Sequence, residues 1–555
     1  MKRALQFGIC CFLILVIARP YLADKPAPKL KTRFATSRDG MVATGSPEAT
    51  SAALKILRAG GNAIDAAAAA HAALMVTDPA NTSLGGRAQI LLRLRDGRVI
   101  ALDGATQTPA SVTSLKSQED RRGYAVAPVP GNLAVLSEIV RRYGKLKLAD
   151  VLQPAIELAE KGFRVRPRLA ALWVRYRDAL LNDPGAAQNF LKSDGSPYEA
   201  GEIFVQPRLA RVLRQVAESG VAIFYKGEIA EVIAKDHKRR NGFITRRDLA
   251  EYRVRPGVVV RTSYHGHQIV SGGGRAWGNT LVQMLNILEN FSMNSGEVTA
   301  EQLEIIAHVI SQALEDRPQE IGTLKPKVDG YSLATLSSRR FAKSRAALIK
   351  QKLRSSSAVP ATGNNTQGAQ VQPKEEHDTT HLSVMDSEGN SVSLTTSIGP
   401  SFGARVATLE LGFLYAHSYR MRSDPTPGNR DATEMTPTIV FRRGQPRLVI
   451  GAAGSERIPT AILQVISNVI DRGYTLERAV SAPRVFSLKG KLRMQPGFPA
   501  PLVQALSARG FQIETLAADF SQHLGLVHAV RYNPVTKEFI GAVDPGSDGS
   551  AEGPE

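Results

Sequence analysis

The chain has 555 residues, of which 43% are hydrophobic and 22% are charged, so it is long enough to bury a large core. Its formal net charge of +19 favours an acidic substrate, an anionic envelope polymer or nucleic acid as a partner. The basic residues are dispersed, however, and no zinc finger, recognition helix or stacked aromatic pattern accompanies them. The sequence therefore argues against nucleic-acid binding.

Residues 1–23 have the pattern of a signal peptide, with a basic start and an apolar run over 7–18. The run is short for a membrane span, so we expect cleavage and a periplasmic or secreted protein, with an N-terminal membrane anchor as the alternative. Cleavage would remove three basic residues and no acid, leaving a net charge of 19 − 3 = +16, which suits a compartment rich in anionic surfaces. Both cysteines, Cys10 and Cys11, would be lost as well, which excludes disulfides, thiol catalysis and cysteine–zinc sites.

The first half of the chain alternates helices and strands. Asn62, with Asp65 three residues later, predicts a capped helix start, and Gly60 and Gly61 end the helix before it. Strands are predicted at 41–44, 90–94 and 99–102, and helices at 49–59, 63–76, 134–160 and 205–235. Residues 354–378 are rich in polar residues, glycine and proline and predict a flexible segment. Beyond them the chain becomes rich in strands, with helices near 459–472 and 500–509, so the elements indicate a mixed α and β protein.

The most informative feature is a hairpin that begins where the flexible segment ends. Residues 379–386 and 391–397 alternate like strands around the turn 387–390. If Glu388 is the centre of the turn, Thr379 lies opposite Ser397, on the same face of the sheet. A threonine freed at its amino end is a nucleophile that carries its own base, because an α-amine has an unperturbed pKa of roughly 7.7–8.0. Threonine is also simply a common strand former, so the hairpin alone leaves both interpretations open.

Several motifs in order along residues 38–550 resemble the γ-glutamyltransferase family of the N-terminal nucleophile hydrolase superfamily. They are Gly60-Gly61-Asn62-Ala63, Phe224-Tyr225-Lys226-Gly227, Ile244-Thr245-Arg246-Arg247, Thr379-Thr380-His381, Ser401-Phe402-Gly403, Met435-Thr436-Pro437-Thr438, Gly451–Ile458 and Ala482-Pro483-Arg484. The resemblance implies an α+β fold, a four-layer αββα sandwich. It also implies self-cleavage between Asp378 and Thr379, which would give a large segment 24–378 and a small segment 379–555 within one fold.

The same resemblance implies the roles of the catalytic groups. Thr379 would form the acyl-enzyme, and Ser397 would hydrogen-bond its hydroxyl or amine. The backbone N–H groups of Gly454 and Ser455, which match a Gly-Gly pair of the family, would form the oxyanion hole. No cofactor and no metal is expected, since His265-Gly266-His267 lacks a third ligand nearby. A histidine at 381 is expected to be structural rather than a second base.

The substrate pocket departs from the family pattern. Ala105 stands where the family has an arginine for the donor's α-carboxylate, and Met421, or its neighbour Arg420, stands where it has an aspartate for the α-ammonium. Gly399, Thr433 and Glu434 also replace family residues at the pocket. Arg87, Arg275, Arg405 and Arg422 are the cations from which such a site might be rebuilt. We therefore expect γ-glutamyl recognition to be weakened, because a buried carboxylate needs a charged partner.

Three functions remain open from the sequence. The first is a γ-glutamyltransferase or glutathione hydrolase, the second is an amidase or acylase of the same fold with another acyl donor, and the third is an inactive binding paralogue. The retained Thr379 and Ser397 argue against the third, and the changed pocket argues against the first in its strict form. In either enzyme the partners would be a small-molecule or peptide amide and an amine or water acceptor.

Overall fold

The computed structural model describes residues 32–112, 123–293, 296–317, 332–356, 379–418, 426–517 and 523–554. The predicted signal peptide, Asp378 and Met421 therefore lie outside the described residues, as do Arg420 and Arg422. Most of the predicted flexible segment 354–378 lies outside them too. Its first residues, 354–356, are described, and they form the end of a helix rather than a flexible run.

Seventeen α-helices are described, and their lengths range from one turn to five. They are α1 Pro47–Arg58, α2 Ala63–Thr77, α3 Asn132–Tyr143, α4 Leu148–Lys161, α5 Pro167–Leu181, α6 Pro184–Phe190, α7 Pro207–Ser219, α8 Ala222–Tyr225, α9 Glu228–Arg239, α10 Arg246–Glu251, α11 Gly278–Leu288, α12 Ala300–Asp316, α13 Leu333–Leu336, α14 Arg339–Ser356, α15 Arg457–Ile470, α16 Leu476–Ser481 and α17 Ala500–Ala508.

Nineteen strands are described. They are β1 Phe34–Ser37, β2 Gly40–Thr44, β3 Arg87–Arg93, β4 Val99–Gly104, β5 Phe163–Arg164, β6 Ile203–Phe204, β7 Arg255–Pro256, β8 Val258–Tyr264, β9 His267–Gly273, β10 Thr380–Asp386, β11 Ser391–Ser397, β12 Thr438–Arg442, β13 Gln445–Ala453, β14 Val485–Leu488, β15 Lys491–Met494, β16 Gln512–Thr515, β17 Leu526–Asn533, β18 Glu538–Val543 and β19 Ser550–Glu552.

Local sequence accounts for the helices that were predicted. The Asn62 side chain accepts hydrogen bonds from the Ile64 and Asp65 N–H groups, and Asp65 accepts one from the Asn62 N–H, which is the expected capping box. All residues of α2 are buried, because its alanines allow close packing on every side. The predicted helix 134–160 is divided into α3 and α4 after Gly144, and the region 205–235 contains α7, α8 and most of α9.

Two large sheets form the centre of the protein. The first has the strand order β19-β2-β10-β11-β3-β4-β7, and the second has the order β1-β18-β17-β13-β12-β9-β8. An apolar cluster that includes Met41, Leu91, Met385, Val449 and Val530 fills the space between them. The sheets are thus packed face to face, with the predicted hairpin β10–β11 at the centre of the first sheet.

Each sheet has a layer of helices on its outer face. Helices α1 to α4 share one core with β10, β11 and β3, and helices α11, α12 and α15 share another with β12, β13 and β17. The layer order is therefore helix, sheet, sheet, helix, which confirms the αββα sandwich. Within the part of the chain that is described, no helix is both long enough and apolar enough to cross a membrane.

Candidate active site

Thr379 lies directly before β10, and it is 8% exposed. Strands β10 and β11 are antiparallel, with Thr380 opposite Thr396 and His381 opposite Thr395. One further step in this register brings Thr379 opposite Ser397, as the hairpin prediction required. The Ser397 hydroxyl oxygen accepts a hydrogen bond from the Gly399 N–H at 2.9 Å, which anchors the serine to the loop after its strand.

The row of side chains that begins with Thr379 continues across the first sheet. Ser397 is paired with Arg87 on β3, and the register of β3 with β4 brings Ala105 opposite Arg87. Directly opposed residues point to the same face, so the order across the sheet is Thr379, Ser397, Arg87 and Ala105. Leu91 is four residues from Arg87, on the same face of β3, and it belongs to the intersheet core, so this row faces the second sheet. A guanidinium group, that of Arg87, therefore lies in this row one strand nearer to Thr379 than Ala105 does.

His381 packs between the sheets, two residues from Thr379. Its Nδ1 is 2.9 Å from the Thr395 hydroxyl and its Nε2 is 3.0 Å from the Ser383 hydroxyl. Burial, together with the nearby His528, holds the pKa of His381 well below its usual value, so the ring is neutral. A Cβ on Gly451 of β13 would lie 2.2 Å from this ring, so glycine is required there. Both ring nitrogens have hydroxyl partners, which agrees with the expected structural role.

The turn after β13 contains Gly454 and Ser455, the two residues predicted to form the oxyanion hole. Gly454 has φ +127°, and a Cβ there would lie 2.9 Å from His523. Ser455 has φ +54°, a left-handed conformation that is unfavourable for serine and often found at functional sites. Among the described residues, neither the Gly454 N–H nor the Ser455 N–H has a backbone acceptor. Ala453, which directly precedes these two N–H groups, lines the same cavity as Thr379, and adjacent N–H groups of this kind can bind a developing oxyanion.

A small cavity of about 30 Å³ adjoins Thr379. Its polar lining includes Asn81, Arg168 and Asp548, together with Ala453 from the strand that leads to the oxyanion turn. The Asn81 amide nitrogen donates to Asp78, whereas its Oδ1 is buried without a partner in the described part of the chain. Burial raises the pKa of Asp548, and the charges of Arg166 and Arg168 oppose that rise. Asn81 Oδ1 is thus an acceptor next to the position at which a new α-amine would form.

A buried group of charges lies on the other side, beside Ser397. The Arg87 Nη1 is 3.2 Å from the Asp431 Oδ2, with side chains 5% and 1% exposed, and Ser418 donates to the Asp431 Oδ1 at 3.1 Å. Glu434 keeps part of its surface exposed. Loss of hydration raises the pKa of its carboxyl group, and the charges of Arg87 and Arg317 oppose this rise. Burial lowers the pKa of Arg317 to about 9. Both signs of charge are therefore available within reach of the nucleophile.

The remaining predicted pocket residues contribute backbone and shape. Gly399 has φ +92° and Thr433 donates its N–H to the Arg275 carbonyl at 2.8 Å. Ala105 is fully buried, and its carbonyl accepts a hydrogen bond from Tyr252 at 2.7 Å. The Arg275 Nη1 donates to the Arg430 carbonyl at 2.6 Å, and the Arg405 guanidinium lies 4.6 Å from the Tyr176 ring centroid. Of the four cations considered from the sequence, Arg87 alone among those described shares a row with Thr379.

Sequence reasoning missed Asp431 and Asn81 and did not single out Arg87 among the arginines. The pairing of β3 with β11 is the signal that identifies Arg87, and it is a property of the tertiary structure. No group of three or more metal-ligating side chains occurs in the described ranges.

A four-layer αββα sandwich with a threonine at the start of a central strand is the architecture of N-terminal nucleophile hydrolases. The fold is similar to that of a cephalosporin acylase from Bacillus halodurans, with a TM-score of 0.81 and 26% identity over 96% of this chain and 99% of that one. The sequence is 32% identical to a glutathione hydrolase proenzyme of Escherichia coli over 541 residues, 92% of this chain and 91% of the relative. It is 33% identical to the acylase ACY 1 proenzyme of Pseudomonas sp. strain SE83 over 540 residues, 93% of each.

The model of the gamma-glutamyltranspeptidase family matches residues 49–553. The chain belongs to this family, and it is an enzyme of the hydrolase and acyltransferase class that is made as a proenzyme.

Proposed function

We propose that Thr379 is both the cleavage site and the catalytic nucleophile of this enzyme. The Thr379 hydroxyl adds to the carbonyl of Asp378, the peptide C–N bond breaks as an ester forms, and the proton passes to the leaving nitrogen. Water then hydrolyses the ester and leaves a carboxyl group on Asp378 and a free amine on Thr379. The observation that supports this most directly is the row that brings Thr379, Ser397 and Arg87 side by side, next to the oxyanion turn.

In the mature enzyme the Thr379 amine takes the hydroxyl proton as the oxygen attacks the donor amide. The oxyanion that forms is stabilised by the N–H groups of Gly454 and Ser455, a contribution of about 10²–10³ in rate for each donor. The amine then protonates the leaving nitrogen, and water or an acceptor amine attacks the acyl-enzyme in the reverse sequence. Ser397 positions the Thr379 hydroxyl, and Asn81 Oδ1 accepts a hydrogen bond from the amine.

The donor that suits this site is an amide of a short dicarboxylic acid, such as a γ-glutamyl amide. Neighbouring strands are about 4.8 Å apart, so the Cα atoms of Thr379 and Arg87 are separated by roughly 10 Å. A short acyl chain held between an ester at Thr379 and the Arg87 guanidinium spans this gap. Arg87 would bind the donor's carboxylate, and Asp431 would bind an α-ammonium, the two charges of a γ-glutamyl head.

A second candidate, an acylase for a donor without an α-ammonium, is favoured by one observation. Arg87 and Asp431 are already paired at 3.2 Å, so the two charges that a zwitterionic head would contact already neutralise each other, and binding the head would weaken their pairing. A charge-assisted hydrogen bond is worth about 1.5–3 kcal/mol, and this cost makes γ-glutamyl amides poor donors for a member of this family. Both a glutathione hydrolase and an acylase occur among the relatives, and either donor is consistent with the same nucleophile.

Mass spectrometry of the purified protein tests the first part of this proposal. The wild type should yield a fragment that begins at Thr379, whereas Thr379→Ala should remain one uncut chain. Thr379→Ser keeps the hydroxyl and is the matched control, which should still be cut. An intact wild-type chain after prolonged incubation, or cleavage of the alanine variant at the same bond, would contradict it.

We further infer that residues 1–23 direct export and are removed, so that the enzyme works in the periplasm or outside the cell. The basic start and the short apolar run support this, and the mature charge of +16 suits an anionic envelope surface. Amino-terminal sequencing of the large fragment from exported protein should begin near residue 24. A large fragment that still begins at Met1 would favour the membrane anchor instead.

A further inference from the structure

A basic concavity lies at the end of the second sheet that is remote from Thr379. Its cations are Arg442, Arg443, Arg447 and Arg531, with His267 beside them, and its volume is about 280 Å³. The strand β13 runs from this concavity to the oxyanion turn, and the seven residue steps from Arg447 to Gly454 span about 23 Å at roughly 3.3 Å each. The concavity is therefore separate from the candidate active site.

The sheet register brings these cations together. The pairing of β12 with β9 brings Arg442 opposite His267, and Arg531 is paired with Leu448 on β13. Val440, Leu448, Val469 and Ile470 form an apolar floor at the end of α15. Charges from Arg442 and Arg531 both act on His267 and, after burial, help to lower its pKa. Cations on three different strands thus converge on one partly buried hollow.

Acidic partners are missing from this hollow in the described part of the chain. No carboxylate lines it, and none of the four arginines forms an ion pair with a described residue. Asp471 follows the floor residue Ile470, but its carboxylate is engaged by Tyr264, Ser467 and His265. Burial lowers the pKa of Arg531, and no acid opposes the effect. Arg447 and Arg531 are partly buried, whereas Arg442 and Arg443 are exposed at the rim. A partly buried guanidinium group without a counter-ion is costly unless a ligand supplies the negative charge.

The turn that joins β12 to β13 is a second, independent sign of selection for charge. Arg443 and Gly444 have φ values of +53° and +74°, the pattern of a tight hairpin turn in which asparagine or glycine is preferred. An arginine in the left-handed region is strained, because its Cβ crowds the following carbonyl oxygen. This turn nevertheless adds an arginine to the rim of the hollow, which suggests that the charge is useful there.

We propose that the basic concavity is a binding site for a phosphate group, separate from catalysis. Guanidinium groups bind phosphate oxygens in a bidentate manner, and four of them surround a hollow large enough for a phosphate head with a small apolar part. The group can belong to free inorganic phosphate or to the head of an anionic lipid, and these sources share the same recognition chemistry. In the second case the site would hold the enzyme at an anionic envelope surface.

Calorimetric titration of the mature enzyme with inorganic phosphate at low ionic strength tests this site. We expect saturable binding that is weakened at least about tenfold in the double variant Arg442→Gln/Arg531→Gln, since two charge-assisted contacts are lost. The matched control is Arg211→Gln/Arg340→Gln, which removes the same charge from two exposed arginines elsewhere and should bind phosphate like the wild type. Unchanged melting temperature and amide turnover would show that the double variant is folded.

Vesicles distinguish the two sources of phosphate. Co-sedimentation with phosphatidylglycerol vesicles that is abolished in the concavity variant and kept in the control variant would identify a lipid head. Phosphate binding without vesicle binding would identify free phosphate. The proposal is overturned if the wild type binds no phosphate at millimolar concentration and no vesicles, or if the control variant loses as much binding as the concavity variant.

Discussion

Removing the Arg87–Asp431 pair should change which acyl donors the enzyme accepts. Arg87→Ala alone would leave the buried Asp431 carboxylate without its guanidinium partner, and breaking a buried pair typically costs about 3–5 kcal/mol of stability. The double variant Arg87→Gln/Asp431→Asn removes both charges and keeps the size of both side chains. It should therefore fold, and its effects on turnover can be attributed to recognition.

The size of the effect follows from the contact that is lost. A charge-assisted hydrogen bond to the donor's carboxylate contributes about 1.5–3 kcal/mol, so kcat/KM for carboxylate-bearing donors should fall by roughly 10- to 150-fold. A butyryl anilide has no distal charge, so its kcat/KM should change little. Thr379, Ser397 and the oxyanion turn are unchanged in this variant, and any general loss of catalysis would appear with all donors alike.

The assay compares three p-nitroanilides, γ-glutamyl, glutaryl and butyryl, with the wild type and the double variant. The γ-glutamyl and glutaryl donors differ only in the α-ammonium, so their ratio in the wild type reports whether Asp431 recognises it. A ratio well above one supports the γ-glutamyl proposal, and a ratio at or below one supports the acylase alternative. If the double variant keeps the wild-type preference for charged over neutral donors, Arg87 does not bind the carboxylate and the reasoning from the row is wrong.

Further changes test other parts of the structure. Ser397→Ala should slow both precursor cleavage and turnover by about one to two decades, because one hydrogen bond of about 1–3 kcal/mol to the reacting group is lost. The control Ser397→Thr keeps the hydroxyl and should be nearly neutral. Equal cleavage half-times in the wild type and the alanine variant would show that the serine has no part in the mechanism. Gly451→Ala should lower the free energy of unfolding by about 1–3 kcal/mol, since its Cβ would meet the His381 ring, and in urea unfolding the double variant Gly451→Ala/His381→Ala should lose less than the sum of its single changes. Acid should destabilise the protein. Burial lowers the pKa of His71, His237 and His528 to about 3 and that of His381 well below 6.5. The unfolded state therefore binds more protons than the folded state between pH 6.5 and 3, and the free energy of unfolding falls as the pH drops through that window. Unfolding midpoints that stay constant from pH 7 to pH 4 would contradict the buried neutral histidines.

The hairpin and its register were determined by the sequence alone. Alternating strands on both sides of a polar turn with Gly389 and Asn390 leave one pairing that keeps the apolar residues in the core, and that pairing sets Thr379 opposite Ser397. The α2 helix was equally predictable, because its capping box is formed by residues three apart in the chain. Such features depend on local spacing, which the sequence records directly.

The substrate side of the site was decided by the tertiary structure. The sequence suggested that the donor's carboxylate had lost its arginine, because Ala105 lies where the family pattern has one. Strand pairing brings Arg87 into the same row from the adjacent strand, and the packing of a distant loop brings Asp431 to within 3.2 Å of it. The fit of Gly451 against His381 likewise joins two sheets that the sequence could not orient. Contacts between strands far apart in the chain depend on how whole sheets pair and pack, and no local pattern encodes them.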